Sequence, residues 1–173
     1  MKYVIALFYF ATICLSSCDT QKKEPGAETN TMSDKKEEKT ENKDMVNPDT
    51  KAKMEAYFKS HDTAYVAEDA VFHNMSTGEE TKGKAAIAGM LHYIYHVAFD
   101  AHADVQHTMV TDKHAVLEAT FKGKHIGEFA GMKATNKEVK VPLCVTYDLN
   151  DEGLIKEARI YMLGDVMMKQ LRD

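Results

Sequence analysis

The sequence predicts an α+β domain, with helices first and a mostly antiparallel sheet after them. Two apolar patterns of helical period lie before residue 99, long segments of alternating character separated by short turn sequences lie after it, and a polar, charged stretch precedes both. Of 173 residues, the first 46 are set aside as signal and tether. The remainder, residues 47–173, is the length of one domain, for which about 100 to 150 residues is usual.

The first helix begins at Asn47-Pro48-Asp49, where Asn caps, Pro suits the first helical position and Asp favours the N-terminus. Met54, Tyr57, Phe58 and His61 recur at spacings of three and four, so one stripe faces a core. Asp62 starts a short second helix through Val66, followed by a strand at Ala70 to Asn74 and a turn at Ser76 to Glu79. Lys84 to Val97 is the clearest helix, with Ile87, Met90, Leu91, Ile94, Val97 and Ala98 on one face. His92 and His96 fall opposite that stripe and are expected on the solvated face rather than around a metal.

Val105 to Thr111 and His114 to Lys124 form a hairpin about Asp112-Lys113. A third strand from Glu138 to Leu149 ends in the turn sequence Asn150-Asp151-Glu152-Gly153, and a fourth spans Leu154 to Leu163. Gly164 ends it, and Asp165 to Leu171 is a terminal helix. Cys144, flanked by Val141, Leu143 and Val145, is expected to be a small buried hydrophobe and not a reactive thiol.

At the other end of the chain, Lys2 and an apolar run from Tyr3 to about Ile13 lead to Leu15-Ser16-Ser17-Cys18. This layout is that of a secretory signal, and the cysteine at the cleavage point resembles a bacterial lipoprotein signal. The resemblance implies a signal peptide at 1–17 and a lipid, such as palmitate, on Cys18. Residues 19–46 hold hardly an apolar side chain and are expected to be a solvated tether. The expected location is the bacterial cell envelope, anchored to a membrane by lipid. A formal net charge of −5 without a clustered basic face argues against nucleic acid as a partner. No Gly-rich phosphate loop and no Cys/His cluster with ligand spacing occurs, so neither a cofactor nor a metal is expected.

The stretch Gly123-Lys124-His125-Ile126-Gly127-Glu128-Phe129-Ala130-Gly131, then Ala134-Thr135-Asn136-Lys137, resembles the G-x-H-x-G-x-F-x-G and A-T-G-K runs of the SnoaL-like polyketide cyclases, a family of the nuclear transport factor 2-like superfamily. Glu152-Gly153-Leu154-Ile155, Glu157, Arg159, Tyr161 and Gln170-Leu171 fit its closing pattern, and the resemblance runs from about Met54 to Leu171. Asn136 stands where the family has glycine; Asn is the next best residue for a left-handed turn position.

The resemblance implies a cone-shaped domain, a curved sheet wrapped against N-terminal helices around an apolar cavity open at one end. It also implies a carboxylate general base seven residues before the Gln-Leu pair, a position held here by Leu163. His73, His125 and Asp165 are the remaining candidate bases, and Phe72, Tyr147 and Tyr161 the candidate ligand contacts. Three functions compete. The first is a membrane-anchored module that binds a small, largely apolar ligand; the second is a cyclase- or isomerase-type enzyme with a His or Asp base; the third is a homodimeric assembly module with a vestigial cavity.

Overall fold

The computed structural model describes residues 46–173; the expected signal, Cys18 and nearly all of the tether lie outside the described residues. Helix α1 spans Pro48–Ser60, with Asn47 as its cap accepting a hydrogen bond from the Asp49 amide at 2.9 Å. A 3₁₀ turn at Thr63–Tyr65, capped by Asp62, replaces the expected second helix and leads into β1, Val66–Asn74. This strand starts earlier than its apolar pattern suggested, because Glu68 and Asp69 are exposed within it. A short strand β2, Glu80–Lys82, pairs antiparallel with β1 and was not anticipated, since its three polar residues carry no alternation.

The second helix divides. Helix α2 spans Lys84–His92 and passes into a π-helical turn at Tyr93–Ala98. A π-turn takes one residue more per hydrogen-bonded loop than an α-turn and rotates everything beyond it. The single stripe expected through Val97 therefore fails at its end. Val97 is exposed, whereas Ala98 and Phe99 are buried.

Strands β3 (Phe99–Val110), β4 (His114–His125), β5 (Glu138–Leu149) and β6 (Ile155–Met162) form the antiparallel meander, and α3 (Gly164–Arg172) closes the chain. The sheet order is β2-β1-β6-β5-β4-β3, with β1 parallel to β6. Along β5 the period of two is complete: Val139, Val141, Leu143, Val145, Tyr147 and Leu149 are all buried on the inner face. Cys144, one step out of phase, is half-buried on the outer face and not in the core as expected.

Two apolar clusters result. One joins α1, β1 and the middle of the sheet around Met54, Phe58, Phe72 and Ile155; the other packs Met167 and Leu171 of α3 onto Phe99, Phe121, Val139 and Val141. The loop after β4 locks the end of the π-turn. The amides of Ile126 and Gly127 both donate to the Ala98 carbonyl, at 2.9 and 3.0 Å. A Cβ on Gly127 would fall 2.1 Å from the Val97 carbonyl oxygen, so only glycine permits this approach. Asn136 takes the left-handed backbone expected of it, at φ 58°.

Candidate functional site

Between the helices and the inner face of the sheet lies a cavity of about 600 Å³, within the range usual for small-molecule sites. Met90, Leu91 and Ile94 from the helical side, Leu117, Leu143, Val145 and Ile160 from the sheet, and Met162, Met167 and Met168 line it. The walls are thus aliphatic and thioether, and several are methionines, which adapt their shape to an occupant. Leu163 and Asp165, both exposed, lie on the rim with Asn74, Ser76 and Thr77.

The buried end, where Tyr57 and Tyr147 are buried and His61 and Tyr95 half-buried, is different in kind. Tyr57 and His61 from α1 and its C-cap, Tyr95 from the π-turn and Tyr147 from β5 converge there. The Tyr57 ring meets those of His61 and Tyr147 edge-on, with centroids 5.6 and 5.7 Å apart, and His61 stacks on Tyr95 at 4.6 Å. Tyr95 Oη lies 3.5 Å from His61 Nε2, at the outer limit of a hydrogen bond. Burial lowers the His61 pKa to about 4 and raises that of Tyr95 to about 12. Tyr57 and Tyr147 are pushed up by burial and then by the neighbouring hydroxyls, Tyr95 acting on Tyr57 and both Tyr57 and Tyr95 on Tyr147. At neutral pH this end is polar and uncharged.

The residues singled out from the sequence separate. Phe72 and Tyr147 line the cavity. His73 does not. It follows Phe72 in a strand and so faces outward, with Nδ1 3.3 Å from Glu80 and Nε2 3.1 Å from Glu157. Tyr161 also faces outward and is 46 % exposed, because it pairs with the outer-face residue Cys144. His125 is fully buried but is not in the cavity wall. Its ring lies 5.1 Å from that of Phe99, and its Nδ1 accepts from the Thr135 amide at 3.2 Å, which puts the ring proton on Nε2. Among the described residues that Nε2 has no partner. His125 therefore pins the 126–137 loop to the end of the sheet.

Asp165 occupies the first turn of α3 and the rim at once. His92 and His96 are exposed, as expected, with ring centroids 5.5 Å apart. They border a second groove of about 380 Å³ that shares the His61–Tyr95 wall. Among the described residues no group of three His, Cys, Asp or Glu is placed to hold a metal ion, and no helix is long and apolar enough to cross a membrane.

The model of the SnoaL-like polyketide cyclases matches residues 53–171. The chain belongs to this family. Its fold recurs in solved structures of SnoaL-like proteins. One from Jannaschia sp. CCS1, assigned as a SnoaL-like polyketide cyclase, superposes with a TM-score of 0.65 at 16 % identity, covering 73 % of this chain and 96 % of its own. IdmH of Streptomyces antibioticus, assigned as a polyketide cyclase, is 24 % identical with a TM-score of 0.57, over 72 % of this chain and 97 % of its own. A protein of Catenulispora acidiphila with a ketosteroid isomerase-like fold, solved with trimethylamine, is 16 % identical with a TM-score of 0.55, over 72 % and 94 %. At these identities the likeness is one of fold. No curated protein matches the chain.

Sequence reasoning did not select Tyr57, His61 or Tyr95 for the SnoaL-like cavity. The first two were visible only as part of a core-facing stripe. The signal that a void lay under it, the π-turn carrying Tyr95, is a backbone feature without a sequence motif.

Proposed function

We propose that this protein is a lipid-anchored module of the bacterial cell envelope whose SnoaL-like domain binds a small, largely apolar molecule in its cavity. The observation that carries this reading is an aliphatic cavity of about 600 Å³ with Leu163 on its rim, at the position where the resemblance implies a general base. Leucine accepts no proton, while an apolar wall with a few polar groups is what a binding site needs. The tether after Cys18 would hold the domain away from the lipid surface, and several acyl chains on one cysteine anchor far more firmly than one.

Two experiments test the two halves. The neutral fluorophore N-phenyl-1-naphthylamine should bind the wild-type chain with increased emission. Ile160→Trp, which fills the cavity from β6, should abolish that binding; unchanged binding would show that the dye sits elsewhere. For the anchor, Cys18→Ser should move the protein from the membrane to the soluble fraction, and an undiminished membrane pool would remove lipid from the account.

A further inference from the structure

Three features converge on the buried end of the cavity. His61 is held at φ 52°, a left-handed conformation that is uncommon outside glycine and is sustained here by a 2.7 Å hydrogen bond from its amide to the Tyr57 carbonyl. Tyr95 is carried by the π-turn, a departure from α-helix that is frequent at functional sites. Tyr57 and Tyr147 put two more hydroxyl groups in the same place, and among the described residues neither has a protein hydrogen-bond partner. Buried phenols normally find a partner. Here they face space instead.

The charge distribution narrows what would fill that space. Among the described residues no lysine or arginine lines the cavity, and the one carboxylate that does, Asp165, is on the exposed rim. A carboxylate or ammonium group at the buried end would lose its hydration and gain no counter-charge, the costliest form of burial. An uncharged oxygen would accept from the phenols at no such penalty.

We propose that Tyr57, His61, Tyr95 and Tyr147 form a recognition site for an uncharged oxygen group, a hydroxyl or carbonyl, carried at the inner end of the apolar ligand. This rests on the cavity-binding reading above and adds to it the class and direction of the ligand. The polar end enters first, and the aliphatic remainder lies along the Met, Leu and Ile walls toward Leu163.

The test uses the full chain with Cys18→Ser, which removes the proposed lipid, and displaces N-phenyl-1-naphthylamine at pH 7.5 with decan-1-ol or decanoate. Decan-1-ol should displace the dye at a concentration about tenfold or more below that of decanoate. Tyr95→Phe and His61→Asn should each weaken decan-1-ol by about threefold to tenfold, the loss of one hydrogen bond. Asn is chosen because it accepts the left-handed backbone. Decanoate binding as tightly as decan-1-ol, or wild-type affinity for decan-1-ol in both variants, would overturn the assignment while leaving the cavity-binding reading intact. Failure of the dye to bind the wild-type chain would overturn that reading and this inference together.

Discussion

His61 makes folding pH-dependent in a way that can be isolated. In the folded protein, burial brings its pKa down from 6.5 to about 4. Above pH 6.5 neither the folded nor the unfolded chain holds the proton, and His61 contributes no slope. Between 6.5 and 4 the unfolded chain takes up a proton that the folded chain refuses, so stability falls as pH falls; below 4 the folded protein accepts it too and the loss levels off.

Within that window each pH unit costs up to about 1.4 kcal/mol, so the loss relative to pH 7.5 is about 1 kcal/mol at pH 5.5 and about 2–3 kcal/mol at pH 4.5. His61→Asn removes the titration while tolerating φ 52°. Urea unfolding of both proteins at pH 7.5, 5.5 and 4.5 gives the stability difference between them at each pH. Groups common to both, including every carboxylate, cancel. The variant should gain on the wild type by about 2–3 kcal/mol between pH 7.5 and 4.5. Parallel profiles would refute the reasoning, since they would mean that His61 is solvated enough to protonate in place.

Three further outcomes follow from geometry. Gly127→Ala drives a methyl group into the Val97 carbonyl and should destabilise by about 1–3 kcal/mol in chemical denaturation, loosening the end of the π-turn. His73→Gln, on the outer face, should change dye affinity by less than about twofold, the scatter expected of a surface change within about 0.5 kcal/mol; a large loss measured by fluorescence titration would bring His73 back to the cavity. Asn47→Ala should cost about 1 kcal/mol in thermal or urea unfolding, by leaving the Asp49 amide without its acceptor.

Much of the architecture was legible because it depends on local periodicity. Glu138–Leu149 follows its alternation from end to end, and Asn47-Pro48-Asp49 begins a helix as its chemistry requires. Parity along a strand also decides facing. Phe72 and Tyr147 line the cavity, whereas His73 and Tyr161, each one step out of phase with cavity-lining neighbours, face outward. The sequence held that information, but the phase is fixed only once the register against Ala158, Arg159 and Cys144 is known.

What the sequence determined by itself is an α+β domain with a short-range code for each main element, the motif glycine at 127, the left-handed Asn136 and leucine at position 163. What only the tertiary structure decided is where packing stops. A stripe of Met54, Tyr57, Phe58 and His61 has the same period whether it meets a filled core or a void. Met54 and Phe58 pack in the core and are absent from the cavity wall, whereas Tyr57 belongs to the core and the cavity wall at once and His61 lines the cavity. A void is a property of surfaces brought together from distant parts of the chain, and local spacing contains no record of it.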